Sequence, residues 1–500
     1  MSCWILSDRR ILGVLLSAAV AHLFSDLRGD EPVSAGAAEI VYRQPLDEAG
    51  QSGICLWKDH LYLTLHKRLD GPLSGGFCFN SDIIAQCLDR TTGRKLWQVD
   101  LPGTYAGKVL ESWHDSTSLL PVANEQFVVF QNLNGMLQCC THDGRTVWHR
   151  TWQAPDPDIK NCRMFLLHNR LIVALPADRI AVAASAQHPA LPFYQLHCID
   201  LVSGADIWRS PHLITHATQY SLDRWKETDV IVASMIDLSH WQFGRGRRGF
   251  LISTETGESV AEFDLPPAIP HQKNQLCQGR FLVTGSGGPR TVFQLVEPSS
   301  GAVHSQFVIA DPDVCHAWTG TNWEVAEFQP EYTDRTLRGK GQPTPSTVHV
   351  VGSRIYFWRY DSGEICCLDT ETGESVFVEV PIQVLPDRIV WNRADFQFTD
   401  GIRNTRDQIV NQRVGSVRGI QRGGFGHTNP AWPLLRDGVL YWQGGAGLLY
   451  LIDTNVPFSP AAISWRSIET QGQSWTFGEP AVDDEAIYVR SQRELVRMRR

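Results

Sequence analysis

Cys87-Leu88-Asp89-Arg90-Thr91-Thr92-Gly93-Arg94-Lys95-Leu96-Trp97 reads as the end of one β-strand, a tight turn and the start of the next. The acid ends the first strand, where its carboxylate can accept turn N–H groups. Gly93 supplies the positive φ that such a turn needs. Trp97, four residues further on, is expected to face a neighbouring sheet. The phrase returns as Cys198-Ile199-Asp200 with Gly204 and Trp208, and as Cys367-Leu368-Asp369 with Gly373. A shorter form is Cys139-Cys140-Thr141 with Gly144 and Trp148. Weaker forms are Leu251-Ile252-Ser253 with Gly257 and Leu295-Val296-Glu297 with Gly301. The last is Leu451-Ile452-Asp453, where Pro457 takes the glycine position. In six of these seven forms the first residue lies six positions before the Gly or its substitute, a constancy that marks a repeat.

Most copies follow a second hairpin, such as Gly53–Trp57 with Leu61–Leu65, or Val348–Val351 with Ile355–Arg359. Two hairpins make a four-stranded antiparallel unit. Such a unit buries its faces only against its neighbours, and closing the row into a ring protects the edges. After the seventh phrase come Glu479–Val482, Ala486–Arg490 and Glu494–Met498, three strands without a fourth. Glu39–Gln44 is strand-like and has no unit of its own. The expectation is therefore an all-β, eight-bladed propeller over 39–500, closed by the N-terminal strand joining the last blade. Seven blades is the alternative, because the fourth and fifth phrases are weak. Length alone, at about 150 residues per domain, allows three domains; the repeat replaces them with one ring.

The phrase resembles the repeat of the pyrroloquinoline-quinone-like (quinoprotein alcohol dehydrogenase-like) β-propellers, in which Ala-Leu-Asp, Gly and Trp recur once per blade. The resemblance covers about residues 40–500. It implies the fold and leaves two directions for function, because such propellers include quinoprotein dehydrogenases and non-catalytic members such as the propeller of the outer-membrane assembly machine. The dehydrogenase reading would bring the quinone (PQQ) and calcium. The Glu–Asn–Asp metal set of those enzymes matches no motif here, and the haem-attachment pattern Cys-x-x-Cys-His is absent. Cys87, Cys139, Cys198 and Cys367 occupy the small-residue position of an inner strand and read as small buried hydrophobes. The quinoprotein vicinal disulfide lies in a loop over the cofactor. Cys139-Cys140 and Cys366-Cys367 run into strand phrases instead, where adjacent side chains point to opposite faces.

Asp8, Arg9 and Arg10 precede an apolar run from Ile11 to Ala21 that ends in Ala19-Val20-Ala21. That is the pattern of an export leader over 1–21, with about residue 38 as the outer limit of its end. The run falls short of the roughly 20 apolar residues a bilayer requires, so no integral span is expected after cleavage. Net charge is −9, which argues against a nucleic-acid partner. The long segments are 67–82, 176–193, 236–249, 308–345 and 382–428. All fall between second and third strands or between blades, so they are expected on one face, around the mouth of the central channel. Loops there are where a propeller builds a site. Candidate binding residues are Asp311, His316, Trp318, Trp323 and Glu324 in one insertion. Trp391, Arg418, Arg422 and His427 come from the other, which carries seven Arg against four Asp. No Ser-His-Asp or paired-carboxylate spacing supports catalysis, and neither a catalytic residue nor a metal ligand is expected. The reading is an exported, non-catalytic binding propeller of the periplasm or cell envelope with a protein or polysaccharide partner. A quinoprotein-like dehydrogenase oxidising an alcohol or sugar is the alternative.

Overall fold

The computed structural model describes residues 39–48, 50–67, 78–79, 81–104, 109–110, 116–153, 163–180, 192–215, 220–236, 247–266, 274–286, 291–309, 314–319, 322–327, 348–359, 364–385, 387–391, 402–403, 409–410, 432–444, 447–468, 478–491 and 493–500. The expected export leader lies outside them.

Each of the seven phrases joins the third and fourth strands of an antiparallel blade. Blade 1 is Cys55–Trp57, His60–His66, Ile83–Asp89 and Lys95–Leu101. Blade 2 is Val122–Ala123, Phe127–Asn132, Met136–Thr141 and Thr146–Thr151. Blade 3 is Phe165–Leu167, Arg170–Ile180, Pro192–Asp200 and Asp206–Thr215. The weak phrases also form full sheets: blade 4 (Ser221–Trp225, Thr228–Ile236, Arg247–Ser253, Ser259–Asp264) and blade 5 (Leu276–Cys277, Arg280–Ser286, Thr291–Val296, Val303–Ile309). Blade 6 is His349–Val351, Arg354–Arg359, Glu364–Asp369 and Ser375–Glu379. Blade 7 is Leu434–Arg436, Val439–Gln443, Leu448–Asp453 and Ile463–Ser467. Blade 8 takes Ala481–Val482, Ala486–Arg490 and Glu494–Arg499 from the C-terminus, and its outer strand is Ile40–Pro45. The ring has eight blades, closed by the N-terminal strand as the sequence predicts, and the seven-blade count is excluded. No helix among the described residues is long and apolar enough to cross a membrane.

First strands of adjacent blades touch, as at blades 8 and 1, 1 and 2, and 2 and 3, so they line the channel. The buried hydrophobics divide into eight clusters, one for each junction between neighbouring blades. Alternation along each strand sends successive side chains into different junctions. Cys139 packs between blades 2 and 3, while Cys140 packs between blades 1 and 2. Cys366 lies between blades 5 and 6, and Cys367 between 6 and 7. The adjacent cysteines thus face apart, unlike the vicinal ring of the quinoproteins.

The Trp of the phrase staples one blade to the next. Trp97 lies over Gly144, and its indole N–H donates to the His142 carbonyl at 2.8 Å. Trp148 covers Gly204 and donates to Leu201 at 2.7 Å. Trp208 covers Gly257 and donates to Thr254 at 3.1 Å. Blade 1 receives the same staple from the closing strand, where Tyr42 covers Gly93 and its hydroxyl donates to the Arg90 carbonyl at 3.1 Å. The turns match the sequence reading. Asp89 Oδ1 accepts the Thr92 N–H and hydroxyl, both at 2.7 Å, and Asp200 Oδ1 does the same for Ser203. Asp369 and Asp453 each accept one turn N–H at 2.9 Å. Beyond blade 4 the surroundings change: the nearest neighbours of a Cβ on Gly301 are the Asp264 backbone and Phe263 Cβ, and nothing lies within 4 Å of one on Gly373.

Candidate functional site

Two of the long segments converge beside blade 6. Val314–Trp318 and Trp323–Glu327 form an antiparallel hairpin with Trp318 opposite Trp323 and His316 opposite Val325. The Thr319 N–H donates to the Asn322 carbonyl at 2.9 Å and closes the turn. The first hairpin strand runs parallel to Ser375–Glu379, with His316 beside Val378. The Trp318 N–H donates to Glu379 Oε2 at 3.2 Å. Blade 6 is thereby a six-stranded sheet. Its fourth strand buries Phe377 and Val378, whereas the outer strands of blades 1 and 2 alternate with exposed positions.

After Ser375–Glu379 the chain forms a ribbon of Gln383–Val384 and Ile389–Val390. The Pro381 carbonyl, just before it, accepts the Tyr450 hydroxyl of blade 7 at 2.6 Å. The ribbon delivers Trp391 onto the hairpin. Trp391 stacks on Trp318 at 5.7 Å and 17°, and meets Trp323 edge-on at 5.7 Å and 80°. Trp318 and Trp323 are 5.4 Å apart at 65°. These are favoured aromatic geometries. Trp323 also packs on the core between blades 6 and 7. Its indole N–H is buried and has no acceptor among the described residues. All three rings are half-exposed.

By strand alternation His316, Trp318, Trp323 and Val325 share one face of the hairpin. Glu324 is on the other face, exposed, and accepts from Asn322 Nδ2 at 3.1 Å. Burial pushes the His316 pKa below its ordinary value. Five of the nine candidate residues are therefore on one small structure, four of them on or beside its aromatic face. Asp311, Arg418, Arg422 and His427 lie outside the described residues.

The location differs from the expectation. The hairpin adds to the outermost strand of its blade, at the rim of the ring. The channel mouth holds other residues. Arg163 precedes blade 3 and Trp432 precedes blade 7, which are opposite in an eight-bladed ring. Even so, the Arg163 guanidinium lies 4.7 Å from the Trp432 ring centroid, so side chains meet across the axis. Arg163 also pairs with Glu479, which precedes blade 8. Burial lowers the Arg163 pKa to about 10. Nothing in the sequence marks this trio, since its members come from three separate blade starts. On the opposite, tight-turn face is a cavity of about 470 Å³ lined by Asp223, Leu276, Gln278, Gly352, Ser353 and Glu371.

No protein-family model matches the chain, and no curated protein matches it. Solved structures do. Sqt1 from Saccharomyces cerevisiae is 8% identical, with a TM-score of 0.50 over 93% of this chain and 99% of that one. BamB from Moraxella catarrhalis is 12% identical, with a TM-score of 0.34 over 76% and 94%. A quinohemoprotein alcohol dehydrogenase from Pseudomonas putida is 10% identical, with a TM-score of 0.46 over 93% and 76%. The likeness to Sqt1 is one of fold alone.

Proposed function

We propose that this is a non-catalytic binding propeller whose protein or polysaccharide partner docks on the rim of blade 6. One observation carries the reading. Three Trp rings from segments roughly 70 residues apart in sequence are gathered within 5.4–5.7 Å on an added hairpin, yet stay half-exposed. Clustered half-exposed aromatics supply large contact area at low entropic cost and dominate binding energetics. The apolar leader Ile11–Ala21 supports export to the periplasm or cell envelope.

The test is direct binding to a glycan array and a peptide array, read with the purified chain, Trp318→Ala and Trp391→Ala. Either variant is expected to weaken the bound probe about tenfold or more with an unchanged far-UV spectrum. Retained binding by both would overturn the site. Dye-linked turnover of an alcohol or sugar, after incubation with calcium and the quinone, would overturn the non-catalytic reading.

A further inference from the structure

The hairpin leaves blade 6 with a new outer strand, Trp323–Glu327. Among the described residues it pairs on one side only. Hydrogen-bonded and non-bonded pairs alternate along an antiparallel ladder. The closing pair Thr319–Asn322 is bonded. Trp318–Trp323 is therefore a non-bonded pair, Ala317–Glu324 a bonded one and His316–Val325 non-bonded again. It follows that Trp323, Val325 and Glu327 turn their N–H and C=O groups away from the hairpin, toward the open edge.

Natural outer strands blunt such edges with charged side chains, basic ones above all, or with Pro. The outer strands of blades 1, 2, 3, 7 and 8 follow that rule with Lys95, Arg150, Arg209, Arg466 and Arg43. The outer strands of blades 4 and 5, Ser259–Asp264 and Val303–Ile309, have no Lys, Arg or Pro, and neither has Trp323–Glu327. Its Val325 is 64% exposed, more than any other large hydrophobic among the described residues. Its charges are Glu324 and Glu327, so the strand is acidic, and among the described residues no strand pairs with its outer side. The sheet has already grown outward by this means, since the hairpin itself pairs with the fourth strand.

We infer that Trp323–Glu327 is a strand-addition site for an extended, basic segment of a partner protein. The incoming backbone bonds to Val325 and its alternate neighbours. A Lys or Arg of the segment faces Glu324, and an apolar side chain lies beside Val325 and the Trp cluster. Strand addition derives affinity from main-chain bonds and selectivity from alternate side chains. The inference rests on the rim of blade 6 being the binding site and gives that site a partner class.

The probes are fluorescent peptides of about eight residues, a strand's length, alternating Val and Thr with either three Lys or three Glu. Anisotropy with the full chain is expected to favour the Lys peptide about tenfold, which is 1.4 kcal/mol. Val325→Pro removes an outward N–H and is expected to lose that binding; Glu324→Lys is expected to lower the preference for Lys. Methylating the peptide nitrogens at one alternate set is expected to abolish binding, and at the other set to spare it, with the protein left unaltered. No binding of the Lys peptide, equal effects of the two methylated sets, or indifference to Val325→Pro would each overturn strand addition. So would concentration-dependent dimerisation lost in Val325→Pro, which would make a second copy the occupant. If Trp318→Ala abolishes glycan binding while Val325→Pro does not, the rim site stands and the basic-segment partner falls.

Discussion

Gly204 and Gly373 are matched in backbone and opposite in surroundings. Their φ values are 69° and 76°, both in the left-handed region. A Cβ on Gly204 would sit 2.7 Å from Trp148 Cγ and 2.8 Å from Cδ2, whereas one on Gly373 meets nothing within 4 Å. Alanine at either site costs about 1–2 kcal/mol for the left-handed conformation, offset by about 0.4–1 kcal/mol because the unfolded chain is stiffened. Those contributions cancel in the comparison. What remains at Gly204 is overpacking against a fixed indole, about 1–3 kcal/mol. Gly204→Ala should therefore unfold at a lower urea midpoint than Gly373→Ala, by that amount after multiplication by a common m-value. Trp148→Ala should cost about 3 kcal/mol, the low end for a Trp because the ring is half-exposed. In the Trp148→Ala background Gly204→Ala should lose its excess cost, a coupling within the range of touching residues. Fluorescence and far-UV circular dichroism should report the same midpoints. Equal midpoints for the two alanine variants, or no coupling to Trp148, would refute the staple.

Tyr42→Phe should cost about 1 kcal/mol in the same titration, because it removes only the hydrogen bond to the Arg90 carbonyl. Arg163→Ala should cost about 3–5 kcal/mol by leaving the Glu479 carboxylate buried without its cation, and adding Glu479→Leu should recover part of that. Burial pushes the Cys87, Cys139 and Cys367 thiols up to about 12. They should resist alkylation at pH 8 until urea unfolds the chain, and intact mass should leave Cys139 and Cys140 both as thiols. Burial acts to raise the Asp206 pKa, but hydrogen bonds from Arg150, Arg209 and His197 outweigh it and hold the carboxyl at about 2. A depressed carboxylate stabilises fully above its unfolded value of about 4 and loses that contribution as pH falls toward 2. Melting temperature measured between pH 4 and 2 should fall less steeply in Asp206→Asn.

The blades were legible because one local phrase carries its own turn chemistry. The Asp and Gly of a turn act on neighbours within a few residues, so Asp200 and Gly204 declare themselves without knowledge of the rest. Even Leu251-Ile252-Ser253 and Leu295-Val296-Glu297 fold as the strong copies do, since the turn spacing to Gly257 and Gly301 matters more than the acid. Closure by the first strand followed from counting. The aromatic rim was half legible: Trp318, Trp323 and Trp391 were marked by composition, but their position was not. Whether an insertion curls over the channel or adds to an outer edge depends on pairing with a distant strand, here Ser375–Glu379, which the insertion's own sequence does not show. Arg163, Trp432 and Glu479 were not marked at all, because only ring closure brings three blade starts together. Tyr42 escaped for a related reason, lying in the one strand that has no phrase around it.

The closing strand has two sets of partners at very different chain distances. Tyr42 reaches Arg90, 48 residues away, while Arg43 of the same strand pairs with Glu494, 451 residues away. Closing the longer loop costs roughly 2 kcal/mol more chain entropy by logarithmic scaling. Whether at synthesis or on emerging from a translocation channel, the near partner appears hundreds of residues before the far one. If the Tyr42 contact forms first, the strand is held beside blade 1 before its ladder partner Glu494–Arg499 is available. The C-terminal strands then arrive at a waiting template, and the last step of making the ring becomes a capture rather than a search.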